Sequence, residues 1–357
     1  MYALCYALCY VLCYYINNLN IIELHLYMQT INEAQLFMKY KSSYTSASYD
    51  FIRHLLFTSA TFYSIYQLKY SYWSILPTII LGLLNIKTFI IFHDCGHQSY
   101  TPGRLLNNVI GIITGVFVST PFLWTIRHDT HHATNGIVEN KYDWRYNEHI
   151  YYTVKEYKQM SKWKRYAISW LISPEFFYAC MPFINFMILE RFSVIKFFYR
   201  KTRQQLPIVY LIAEQLFHNI AWCIYLYTLY QYGILYQWFL SLWIATNVGV
   251  MLFHNQHTFN PPYIVNNESW TVKNSGLKGS SFIQIPMYFK YFTGGIEYHH
   301  IHHMNSKIPG YHLQQYHDEV VKTSHVFDEI YKMSMKEFYY NLWLVLYNED
   351  TQQYVSL

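Results

Sequence analysis

Charge is scarce in this chain. Lys, Arg, Asp and Glu make up 13% of its 357 residues, while hydrophobic types reach 53%; soluble domains carry roughly 25% charged residues. A purely soluble fold of this length would lack polar surface, and a membrane is the simpler home. CxxC pairs are also absent: the six cysteines stand at 5, 9, 13, 95, 180 and 223, so neither a disulfide framework nor a zinc finger is indicated. A reducing compartment fits them. No basic stripe with interleaved aromatics carries the net charge of +5, which argues against a nucleic-acid partner. Near the N-terminus no basic region precedes the apolar stretch and no small-residue cleavage site follows it, so a signal peptide is not expected. Instead, Tyr2 to Cys5, Tyr6 to Cys9 and Tyr10 to Cys13 form a loose period-four repeat. It reads as an interfacial or poorly ordered segment, with cysteine acylation as one hypothesis.

The apolar residues are gathered in blocks, and a spanning helix needs about 20 of them. Six blocks come near that length: 51–66, 72–92, 105–124, 168–189, 208–230 and 234–253. Residues 69–71 and 231–233 read as tight turns, which pairs 51–66 with 72–92 and 208–230 with 234–253 as helical hairpins. The block at 168–189 has Lys158, Lys162, Lys164 and Arg165 before it and Arg191, Lys196, Arg200, Lys201 and Arg203 after it. By the positive-inside rule both flanks are cytosolic, so this block enters the interface and returns, as Pro174, Glu175 and Pro182 would allow. The block at 105–124, with Gly111, Gly115 and Pro121, is read the same way. The expected fold is therefore all-α and integral to the membrane, with four transmembrane helices in two hairpins and a cytosolic helical cap. The expected divisions are an N-terminal segment at 1–50, a membrane domain at 51–325 and a cytosolic helical tail at 326–357.

Histidine carries the chemistry. Of 18 histidines, eleven sit in four short clusters. His93 and His97 are spaced i and i+4, which puts both imidazoles on one helix face at the end of the second span. His128, His131 and His132 converge by the same geometry, as do His299, His302 and His303, with His300 among them. His254 and His257 end the last span. Neutral imidazole binds iron, zinc and copper, and eight or nine imidazoles are too many for one ion of coordination number about four to six. Two metals follow. With four spans paired as hairpins, every cluster falls on the same membrane face. His25, His54, His149, His218, His312, His317 and His325 are scattered and read as surface or packing residues.

These residues resemble the membrane fatty acid desaturase family, especially its acyl-lipid omega-6 (Δ12-type) branch, over about residues 75–318. The resemblance is carried by His93-Asp94-Cys95-Gly96-His97 with Ser99, Arg104, Leu105 and Asn107, and by His131-His132-Ala133-Thr134-Asn135-Gly136 with Asp143-Trp144 and Thr153 to Tyr157. It continues in Gln256-His257 with Phe259, Gly279-Ser280-Ser281, Ile285-Pro286, Phe292 to Met304 and Ile308 to Leu313. It implies iron ligands at His93, His97, His128, His131, His132, His257, His299, His302 and His303, hence a di-iron centre using dioxygen. His300 matches a position usually beside the ligands. His254 and Gly295 depart from the family pattern, the latter where Asn is common. No haem-binding His-Pro-Gly-Gly segment occurs, so electrons must come from a separate donor of cytochrome b5 or ferredoxin type.

Ligating imidazoles usually give their other N–H to a carboxylate, carbonyl or water, and Asp94, Asp129, Asp143 and Glu297 are the nearest carboxylates in sequence. Trp124, Phe253 and Phe292 are expected in the wall of an apolar tunnel for the acyl chain. The expected function is introduction of a cis double bond into a lipid-linked acyl chain, in a membrane of endoplasmic-reticulum type with the site facing the cytosol. Acyl hydroxylation or acetylenation, or carotenoid oxygenation, is the nearest alternative. A zinc peptidase would need a Glu after the first His, where Asp94 stands, and three protein ligands only. A metal transporter would need polar groups within the spans, where Glu214 and His218 are the evident pair.

Overall fold

The computed structural model describes residues 35–137, 152–194 and 207–357. The N-terminal Tyr/Cys repeat, Asp143 and the basic residues Lys196, Arg200, Lys201 and Arg203 lie outside the described residues. The described residues from Ser42 onward form one compact unit.

Four of the six apolar blocks become helices at nearly the expected bounds. Ser43 caps α1 (Tyr44–Leu68) by accepting the Ser46 N–H at 3.1 Å. A short 3-10 turn at Tyr72–Ser74 leads into α2 (Ile75–Gly96). Next come α3 (Arg104–Phe117) and α4 (Trp124–Thr134), then α5 (Lys162–Ile172) and α6 (Pro174–Met187). The last two long helices are α7 (Ile208–Gln231) and α8 (Leu235–His257), joined by a turn in which Gly233 takes a positive φ of 70°.

Among the described residues, two helices are long and apolar enough to cross a membrane, Tyr72–Gly96 and Leu235–His257. The block at 105–124 yields a helix of 14 residues, short of the roughly 20 a span needs. The block at 168–189 is broken at Ser173, and Lys162–Ile172 and Pro174–Phe192 meet at a 75° bend. The break is physical: Pro174 lacks an N–H and disfavours helical backbone in the residue before it.

The two hairpin turns meet at one end of the molecule. Lys69 Nζ donates to the Tyr232 carbonyl at 2.8 Å and Gln237 Nε2 to the Lys69 carbonyl at 3.1 Å. Above them Ile65, Leu81, Leu229, Ile234, Trp238 and Leu242 form an apolar core drawn from both hairpins. Further along, Asn85 Nδ2 donates to Ser241 Oγ at 3.2 Å between α2 and α8; such bonds are worth about 0.6 kcal/mol on average in a bilayer. Lys87, buried in α2, pairs with buried Asp50 of α1 at 3.0 Å. A charge within an apolar helix needs that partner.

The histidine-bearing ends of α2 and α8 lie away from these turns, capped by short elements. These include α9 (Val272–Gly279), α10 (His299–Met304) and α11 (Gly310–Thr323). The chain is mostly helical, but it is not free of strands. Among the described residues are five strands of two or three residues: β1 (Tyr152–Thr153), β2 (Phe282–Ile283), β3 (Lys332–Met333), β4 (Leu346–Asn348) and β5 (Gln353–Val355). β2 pairs with β3 in parallel, β1 with β4 in parallel, and β4 with β5 as an antiparallel hairpin. The tail thus departs from the helical form expected of it, with one helix of seven residues at Met335–Asn341. β3 and β4 also take backbone partners from β2 and β1, far off in the chain, which local pattern does not reveal.

Candidate metal centre

Four helices deliver the imidazoles. His93 lies in the last turn of α2, and His97 caps that helix with its N–H on the His93 carbonyl at 3.1 Å. α4 presents His128, His131 and His132, α8 ends on His257, and α10 presents His299, His302 and His303. α4 is anchored from beneath by buried Arg127, whose Nη2 donates to buried Glu190 at 2.7 Å.

All nine predicted ligands gather into two groups. The first is His93, His97, His128, His132 and His302; the second is His131, His257, His299 and His303. Within each, one ring nitrogen per residue lies within 4.8 Å of the others. The groups adjoin, the His132 and His303 rings stacking at 4.1 Å between centroids. In the first group the Nε2 of His128 lies 2.9 Å from that of His93 and 3.1 Å from that of His132, and His132 lies 2.9 Å from His302. In the second, the Nε2 of His257 lies 3.1 Å from that of His131 and 2.9 Å from that of His299.

Outer contacts set the tautomers. His93 Nδ1 donates to Asp94 Oδ1 at 3.0 Å, which leaves its Nε2 lone pair facing inward. Asp94 Oδ2 in turn accepts the Gly310 N–H at 2.7 Å. His97 Nδ1 lies 3.4 Å from Asp129 Oδ1. His257 Nδ1 donates to the Gly279 carbonyl at 2.9 Å, so its Nε2 also faces inward as a lone pair. Burial, and after it the neighbouring imidazoles, holds His97, His128, His132, His299, His302 and His303 well below the ordinary histidine range.

This donor set fits metal ions. Neutral imidazoles are the ligating form, and the inward Nε2 atoms of His93 and His257 are acceptors. His97 Nε2 and both ring nitrogens of His303 are buried without a hydrogen-bond partner. Buried polar atoms of that kind cost about 1–3 kcal/mol each when unsatisfied, and a cation in each group would satisfy His97 Nε2 and one ring nitrogen of His303.

The remaining predicted positions divide. Asp94 and Asp129 stand behind His93 and His97. Glu297 is buried and accepts from Thr293 Oγ1 at 2.6 Å. His300 turns to the opposite side of α10, its Nε2 3.2 Å from His317 Nδ1, and packs on Phe327. His254 Nε2 donates to the Asn341 carbonyl at 2.9 Å. Trp124 stacks on His128 at 4.5 Å and Phe253 lies 5.3 Å from His131, whereas Phe292 packs on Tyr291 at 5.6 Å.

A family model described as "Fatty acid desaturase" matches residues 70–333. A protein of Bacillus subtilis named "Fatty acid desaturase" is 33% identical over 309 residues, 85% of this chain and 84% of that one. The chain belongs to the fatty acid desaturase family. This desaturase is also 23% identical over 270 residues to the "Omega-6 fatty acid desaturase, chloroplastic" of Glycine max, covering 72% of this chain and 60% of the relative. A shorter stretch of 74 residues is 39% identical to the "Acyl-lipid omega-3 desaturase (cytochrome b5), endoplasmic reticulum" of Arabidopsis thaliana, covering 20% of this chain and 18% of that one.

Sequence reasoning missed three supports of the desaturase site. Asn135 Nδ2 reaches the Gly279 carbonyl at 3.3 Å, beside His257; Lys307 Nζ donates to the His97 carbonyl at 2.6 Å; and the Gly310 N–H holds Asp94. Asn135 and Gly310 stood within the family motifs, but their partners lie far off in the chain.

Proposed function

We propose that this desaturase removes two hydrogens from neighbouring methylenes of a lipid-linked acyl chain to leave a cis double bond, with each histidine group holding one iron. The observation that carries this is the gathering of nine imidazoles into two adjoining groups. In balance, one saturated acyl chain, one dioxygen, two electrons and two protons give one olefin and two waters. Unactivated methylene C–H bonds have no useful acidity, so no protein acid or base can do this; iron bound at the two groups would supply the oxidising power.

The chain's own residues bind and orient. The inward Nε2 atoms form the ligand set, Asp94 and the Gly279 carbonyl fix the tautomers of His93 and His257, and Asp129 stands behind His97. We assign Trp124 and Phe253 to the apolar wall that keeps water from the reacting carbons. Electrons are read as coming from a separate donor of cytochrome b5 or ferredoxin type.

For topology, we infer that α1, α2, α7 and α8 cross as two hairpins, with the helical cap and the histidines in the cytosol and residues 51–325 as the membrane domain. Exposed Tyr70, Tyr72, Trp73, Tyr232 and Tyr236 surround the joined turns, as aromatic residues do where a helix leaves the bilayer. An endoplasmic-reticulum address rests on relatives named for that membrane, and the Bacillus subtilis relative favours no organelle. Expression in yeast followed by fatty acid methyl ester profiling tests the activity. A new acyl product lighter by two hydrogens is expected; one gaining oxygen identifies a hydroxylase, and an unchanged profile in membranes holding the iron-loaded chain refutes desaturation.

A further inference from the structure

The last turn of α8 is tied down on two sides. Toward the metal centre, Ser281 meets two carbonyls that the end of the helix leaves unpaired, its N–H on Gln256 O and its Oγ on Asn255 O, both at 2.9 Å. Gln256 Nε2 then reaches the Ile296 carbonyl at 2.9 Å, just ahead of the third histidine cluster. On the other side stands the C-terminal tail. His254 Nε2 donates to the Asn341 carbonyl at 2.9 Å, and Asn341 Nδ2 lies 3.5 Å from the Thr258 carbonyl. Asn260 pairs twice with the backbone of Tyr354, at 2.9 and 2.8 Å. β3 pairs with β2, and Met333 packs with Leu252, Phe259 and Ile283.

We propose that the C-terminal tail, residues 331–355, is a positioning element for the second histidine group, and that His254 is the side chain that couples it to His257. His254 stands one helical turn before His257, outside both groups, and its ring is directed to the tail. Fixing Asn341 against this turn fixes the rotation of the helix end, and with it the direction in which His257 Nε2 points at His131 and His299. An apolar residue there would leave a buried carbonyl and a tail without this tether. The inference rests on the reading of the two groups as iron sites.

The test compares iron per purified chain and amide hydrogen exchange of residues 331–355 in wild type, His254→Ala and His254→Gln. In His254→Ala, iron affinity at the second group should fall about 10–100-fold, the range for residues that orient ligands, so that roughly half the iron is lost on dilution into weak chelator. Exchange across the tail should quicken in the same variant. His254→Gln, whose amide can still donate to Asn341, should restore both. Asn260→Ala frees the tail at Tyr354 without touching the last turn of α8, and the same changes to a smaller degree are expected if His254→Ala does not accumulate. Wild-type iron retention in His254→Ala or in Asn260→Ala overturns the proposal, and so does iron loss with the tail still protected, because His254 would then act without it. A wild-type chain that holds no iron overturns the metal-centre reading and this inference with it.

Discussion

The two histidine groups share a ligand chemistry and differ in how the protein holds them. In the first, carboxylates stand behind the rings: Asp94 on His93 and Asp129 on His97. In the second, His257 leans on a backbone carbonyl, that of Gly279, and all four members are buried. Asp129 keeps 46% of its side chain exposed, so the first group has an ionisable edge in contact with solvent. The difference teaches that both sites are largely buried, one backed by carboxylates of which Asp129 meets solvent, the other by backbone geometry at His257.

The largest effect should come where the groups touch. His132 belongs to the first group but stacks on His303 of the second. His132→Ala should remove all detectable product while the chain stays in the membrane fraction; substantial product from this variant would sink the ligand assignment. Next in size is Asp94→Asn, which keeps the shape but removes the charge behind His93. Iron affinity at the first group should drop about 10–100-fold with the second unaffected, read as loss of one iron signal in Mössbauer spectra. Equal loss from both would erase the distinction drawn here.

A smaller change approaches the same carboxylate through the backbone. Gly294 and Gly295 take positive φ values of 62° and 91°, and a Cβ on Gly295 would collide with the Gly310 carbonyl. That close crossing lets the Gly310 N–H reach Asp94. Gly295→Ala should cost about 1–3 kcal/mol in backbone strain and lower the thermal midpoint. A midpoint equal to wild type would show that the crossing tolerates a side chain.

The same contrast explains what could be read from the chain alone. Eight of the nine clustered imidazoles were legible because they recur at i, i+3 and i+4 on helix faces, His257 through the family resemblance, and Asp94 because it adjoins His93. Both hairpins were legible from long apolar blocks around three-residue turns. The distant supports of both groups were not. The Gly279 carbonyl is one backbone atom among hundreds, and the tail holds α8 through partners 87 and 94 positions away. The Gly310 to Asp94 bond spans 216 positions. No local period encodes such pairings. The helical tail was misjudged for the same cause, since strands of two or three residues carry too little alternation to register.

Acid offers the finest test of the comparison. Buried histidines of both groups sit well below the ordinary value of 6.5. As pH falls through about 6.5 the unfolded chain takes up protons that the folded chain refuses. The unfolded state then binds more protons, so stability is full above that pH and declines below it. Bound metal acts in the same direction, because protons compete for the ligating nitrogens. The order of loss should differ between groups. A proton can reach His97 through half-exposed Asp129, which burial pushes up to about 6 and which favours an imidazolium beside it while it stays ionised; the second group has neither advantage. Titration from about pH 7 to 5 should therefore remove iron from the first group before the second. Asp129→Asn should move that first loss to lower pH and leave the second where it was. Loss from the second group first would mean that burial, and not the neighbouring carboxylates, decides where protons enter.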